Sequence, residues 1–125
     1  MTLVLHITQL SAWQAGLAAG SYRDLSLETE GYIHCSTETQ MQRTANKYYV
    51  GVTGLVLLEI DPAKLTHPLR FEPAGSWLLE HPNEPHSAYT GELYPHLYGP
   101  LNPEAVTRVI PYAPDSDGHF GALPL

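Results

Sequence analysis

Residues 31–37 read GYIHCST, and residues 38–49 continue as ETQMQRTANKYY. The first run is built of β-formers bounded by a glycine, and the second has helical spacing, so the chain passes from a strand into a helix here. Side chains on a strand alternate between its two faces. Ile33 and Cys35 therefore share one face, and Tyr32, His34 and Ser36 share the other. An isoleucine beside a cysteine marks a core face, which makes Cys35 a small buried hydrophobe rather than a nucleophile. His34 and Cys35 point apart, so their adjacency does not make them a catalytic pair.

Working outward, Leu3–Thr8 is a strand and Leu10–Ala19 a helix with Leu10, Trp13 and Leu17 on one face and Gly20 as its stop. Residues 23–30 form a polar connection. The helix after GYIHCST runs to about Tyr49, with Thr37 and Gln40 at capping-box spacing and Met41, Ala45 and Tyr48 repeating along it. Leu55–Ile60 is a buried strand ended by Asp61-Pro62. Leu69–Glu72 is a short strand, with another expected at Trp77–Glu80. Residues 81–92 are a loop, 93–98 are extended, and Ala105–Tyr112 is the closing strand. The order is that of a single α+β domain over residues 1–125, with two main helices and a loosely packed tail from about residue 113.

Composition narrows the function. A 125-residue chain that is 43% hydrophobic can bury a core without disulfides. The net charge is −7, and the six basic residues are scattered, which argues against a nucleic-acid partner. With one cysteine there is no disulfide framework and no CxxC zinc motif. No signal peptide or membrane span is visible, so the expectation is a cytoplasmic protein acting on a small molecule.

Parity brings the histidines forward. In LVLHIT (3–8), Val4, His6 and Thr8 share a face. In GELYPHLYGP (91–100), Glu92, Tyr94, His96 and Tyr98 lie together, opposite Leu93 and Leu97. Three strands each offer a polar face bearing a histidine, accompanied by tyrosines that could stack on a flat ring. Convergent polar groups of this kind mark sites.

LHIT (5–8), EGYIHCS (30–36), Gln40, Ala45-Asn46, Tyr49 and PHLYGPLNPEAV (95–106) resemble the bacterial and plant family called domain of unknown function 952. That family has no established activity. Its fold is grouped with the ADP-ribosyltransferases, so the resemblance implies a split, mostly antiparallel pair of sheets with helices and a cleft between. It further implies that His6 holds the adenosine-ribose side of NAD and that Ser36 ends the second strand of the site. Tyr48 or Tyr49 would stand where nicotinamide stacks. In place of the glutamate that ADP-ribosyltransferases carry on a later strand, this chain has His96, with Glu92 on the same face.

The resulting expectation is a cleft with His6, His34 and His96 in catalytic roles. Thr8, Ser36, Tyr48, Tyr49 and Arg43 would bind the nucleotide, Arg43 meeting the pyrophosphate. NAD is the expected substrate, and no metal is expected. Two other readings fit the same residues: a non-catalytic nucleotide-binding module, and a three-histidine metal-dependent hydrolase built on His6, His34 and His96. A serine hydrolase does not fit, because GxSxG is absent.

Overall fold

In the computed structural model, which describes residues 2–125, the chain crosses between two sheets within GYIHCST. Ile33–His34 (β2) belongs to one sheet and Ser36–Thr37 (β3) to the other, with Cys35 at the crossing. The larger sheet has the order β3-β1-β4-β7, where β1 is Val4–Gln9, β4 is Leu55–Ile60 and β7 is Val106–Pro111. The smaller has the order β2-β6-β5, where β5 is Leu69–Glu72 and β6 is Tyr94–Leu97. Every pairing in both sheets is antiparallel. The architecture is α+β, with two antiparallel sheets and, among the described residues, four α-helices.

The alternation of β1 divides the core as its sequence requires. Val4, with Val56 and Leu58 of β4, packs against Ile33 and Leu97 of the smaller sheet, against Cys35 at the crossing, and against Trp13 and Tyr22. Leu5 and Ile7 face the other way, onto Leu55, Leu57, Met41, Ala45 and Tyr112. Cys35 is buried in the first cluster, and burial pushes its thiol up to about 12, so it is an inert core residue at neutral pH.

Six local expectations need correction. Helix α1 (Leu10–Ala19) ends at left-handed Gly20 as read, but it buries Trp13 and Gly16, while Leu10 and Leu17 are 41% and 48% exposed. The reason lies in Gly16: a Cβ there would stand 2.9 Å from both Cα and Cβ of Tyr22, so this turn of the helix is the seat of that ring. The polar connection contains a short helix, α2 (Leu25–Thr29), because Asp24 accepts the Ser26 amide at 3.0 Å as its N-cap.

The helix after β3 begins later than expected. As α3 (Met41–Tyr48) it is preceded by a turn in which the Gln40 side chain accepts the Thr37 amide at 3.0 Å, half of a capping box. Of the repeat read along it, Met41 and Ala45 are buried while Tyr48 is exposed. Residues 75–80 form a helix, α4 (Gly75–Glu80), and not a strand. The tail is anchored, not loose. Phe120 is buried against Tyr112, its amide donates to Asn46 Oδ1 at 2.7 Å, and its carbonyl accepts from Asn46 Nδ2 at 3.0 Å.

Candidate functional site

Where the two sheets part at Cys35, a cleft of about 850 Å³ opens. His34 and His96 line it from the smaller sheet, His6 and Ser36 from the larger, Arg43, Lys47 and Tyr48 from α3, and Gly75 and Leu79 from α4. The volume suits a small-molecule ligand.

His34 and His96 are direct cross-strand partners in the β2–β6 ladder, so their side chains rise from the same face. Their ring centres are 5.7 Å apart and nearly perpendicular, at 80°. Each imidazole has its own carboxylate. His34 Nε2 is 2.8 Å from Glu30 Oε2, and His96 Nδ1 is 3.0 Å from Glu72 Oε1. A carboxylate accepts and does not donate, so in each neutral ring the bonded nitrogen carries the proton. The other nitrogen is then the lone-pair atom: Nδ1 of His34 and Nε2 of His96. Neither has a hydrogen-bond partner among the described residues.

The surroundings of the two rings differ. The His34 side chain is 44% exposed, whereas that of His96 is 1% exposed. Tyr32 stacks on His96 at 4.1 Å and meets His34 edge-on at 5.0 Å. Burial lowers the His96 pKa below its usual 6.5, with the Glu72 bond partly offsetting this, so His96 is neutral at pH 7. Burial also pushes the Tyr32 phenol up to about 12. The same oxygen of Glu72 also accepts from the Tyr98 hydroxyl, which helps to fix the carboxylate. Gly75 packs close over His34 and Tyr32: a Cβ there would lie 2.6 Å from His34 Cε1 and 3.1 Å from the Tyr32 hydroxyl.

His6 does not join this pair. Its Nδ1 is 2.6 Å from the backbone carbonyl of His34 and must donate to it, so the lone pair of Nε2 faces the Tyr22 hydroxyl at 2.9 Å. That hydroxyl also lies 2.9 Å from Thr8 Oγ1 and 3.3 Å from Asp24 Oδ1. Burial lowers the His6 pKa and the Asp24 charge only partly restores it. Both ring nitrogens are committed, so His6 positions the crossing segment and has no nitrogen left to act on a ligand or bind a metal. The three-histidine metal reading loses its third ligand. Among the described residues no group of three or more His, Cys, Asp or Glu side chains is arranged to hold a metal ion.

The remaining expected residues divide similarly. Thr8 is buried in the Tyr22 network and does not line the cleft. Ser36 lines the cleft, with its Oγ 3.0 Å from Thr44 Oγ1, but it pairs with Leu5 in the ladder and so lies on the face opposite His6. Tyr48 is exposed at the mouth, Tyr49 is partly buried, and both line the cleft. Arg43 lines it too, paired with Glu92 at 2.6 Å. Sequence reasoning placed Tyr32 beside His34 but missed Glu30, Glu72 and Gly75. Glu30 had a signal, four residues before His34. Glu72 had none, being 24 residues from His96.

Fold and site together define a small α+β protein of antiparallel sheets with a cleft that carries two carboxylate-bound histidines. The chain belongs to the family described as "Protein of unknown function (DUF952)", whose model matches residues 7–109. It is similar to protein CC0527 from Caulobacter crescentus, at 30% identity. One crystal structure of that protein has a TM-score of 0.78, with 96% of this chain and 94% of that one covered. Its solution NMR structure has a TM-score of 0.70, with 95% and 91% covered. Among curated proteins none matches the chain. No helix of the described residues is long and apolar enough to cross a membrane.

Proposed function

We propose that the cleft binds NAD or another ADP-ribose-bearing nucleotide and transfers or hydrolyses its ribosyl group, on an ADP-ribosyltransferase-like fold. The observation that carries this reading is the pair His34 and His96, each oriented by a carboxylate, in the wall of a cleft with room for a nucleotide. An imidazole oriented by a carboxylate is the arrangement used for proton transfer to and from substrate hydroxyls. Arg43 and Lys47 supply positive charge on the α3 side for a pyrophosphate, and Tyr48 and Tyr94 offer rings to stack on. The parting of two antiparallel sheets around the cleft agrees with the resemblance. A small molecule fits this acidic chain better than a nucleic acid does. The free, buried Cys35 suits a reducing, cytoplasmic setting.

The test is an NMR titration of labelled protein with NAD and with ADP-ribose, repeated with His34→Gln. Shifts localised at Gly75, His34, His96 and Tyr48, weakened in the variant, are expected. No shift at millimolar ligand sinks the nucleotide reading. Binding with no turnover of any ribosyl compound would leave the non-catalytic module standing.

A further inference from the structure

The two histidines are held in opposite senses. His34 presents Nδ1 and His96 presents Nε2, because Glu30 and Glu72 take the other nitrogen of each ring. The rings rise from one ladder rung, 5.7 Å apart and nearly perpendicular, close enough to serve a single reacting centre. Their access to water differs. His34 is half open to water beside Glu30, so its protons exchange with solvent. His96 is enclosed beneath Tyr32 at the cleft wall. Two carboxylate-oriented imidazoles, one open to solvent for proton exchange and one enclosed, can divide the roles of acid and base in the same reaction.

An acid has work to do only when the leaving atom needs a proton. Nicotinamide departs from NAD as a neutral ring and needs none, so an acid opposite the base is idle on NAD. The oxygen of a departing aliphatic alcohol does need one. We propose that His34 and His96 are the general acid and general base for hydrolysis of a ribosyl nucleotide whose anomeric carbon is joined through oxygen to an alcohol. This rests on the nucleotide reading of the cleft and narrows it to O-linked substrates. His96 Nε2 takes a proton from water, whose oxygen bonds to the anomeric carbon as the anomeric C–O bond breaks. His34 Nδ1–H gives its proton to the departing oxygen, which leaves as a neutral alcohol. Afterwards His96 is protonated and His34 neutral, and exchange with solvent through exposed His34 resets the pair. No oxidant, reductant or metal enters the balance.

The test compares three compounds: ADP-ribose O-linked to a seryl peptide, its p-nitrophenyl counterpart, whose leaving group departs without a proton, and NAD. Wild-type protein should release the seryl peptide at least about 100-fold faster than it cleaves NAD, the low end of what acid–base assistance supplies. His34→Gln should slow the seryl substrate by about 100- to 10,000-fold and the p-nitrophenyl substrate by no more than a few-fold. His96→Gln should slow both. If the buried His96 variant does not fold, Glu72→Gln, which keeps the shape and loses the charge, should also slow both. Equal losses on the two leaving groups in His34→Gln, or faster cleavage of NAD, overturn the proposal. ADP-ribose binding without turnover of either O-linked compound overturns it and spares the binding reading. Absence of ADP-ribose binding overturns both.

Discussion

His6 in the larger sheet and the His34–His96 pair in the smaller one present the same side chain used in two ways. Around His6 every polar atom is answered within the protein: the imidazole takes the His34 carbonyl and the Tyr22 hydroxyl, and that hydroxyl is shared with Thr8 and Asp24. His34 and His96 line a cleft, and each ring keeps one nitrogen without a hydrogen-bond partner among the described residues. A buried polar group with all its bonds made contributes to stability and specifies one packing. A group oriented on one side and free on the other is prepared for something that is not part of the fold. A histidine on a polar strand face is compatible with either use; the number of its nitrogens already engaged separates them.

The comparison can be broken by measuring where stability resides. The largest effect belongs to Tyr22→Ala. Tyr22 is 1% exposed and sits on Gly16, and removing it should cost about 3–5 kcal/mol in urea unfolding, the range for buried aromatics. His6→Leu keeps roughly the volume and strips the hydrogen bonds, so about 1–3 kcal/mol should be lost by the same measurement. A cost near zero would show that the network is not structural.

The same histidine sets a pH response. The pKa values of folded His6 and His96 lie below 6.5, so as the pH falls below about 6.5 the unfolded chain takes up protons first. Stability is therefore full above that value and declines toward pH 5. Urea midpoints measured across this range should fall, and fall less steeply in His6→Leu.

The open pair should behave differently. Gly75→Ala drives a methyl group toward His34, whose half-exposed ring can give way, so stability should drop by about 1 kcal/mol or less while the His34 and Tyr32 resonances move. His34→Gln should change stability by no more than about 0.5 kcal/mol, as for exposed sites generally. A larger loss would place His34 with His6 as a structural residue.

Parity along single strands carried much of the site. It grouped Tyr32 with His34 and Tyr94 with His96 and Tyr98, and it put Cys35 in the core, because period-two alternation is local and needs no knowledge of partners. What it did not supply was the partner of each ring. Glu72 meets His96 only because β5 pairs with β6, a contact fixed by register between distant segments. It also set His6 beside His34 without showing that they sit in different sheets, since a two-residue strand that changes sheet looks continuous in sequence. The α4 region was misread for a related reason. Its Trp and Leu residues suit a strand, but none is buried, and the helix forms locally, with the Leu78 amide donating to the Ala74 carbonyl at 3.1 Å.

The crossing at Cys35 ties the cleft to the rest of the chain's motions. The Cys35 amide donates to Pro95 in the smaller sheet, the next residue pairs with Leu5 in the larger, and His6 grips the carbonyl just before. The smaller sheet thus has no free seam along which to detach by itself. Backbone amides of β2 and β6 should exchange with deuterium at rates near those of β1 and β4, as members of one cooperative unit. The two imidazoles would then keep their spacing for as long as the protein stays folded.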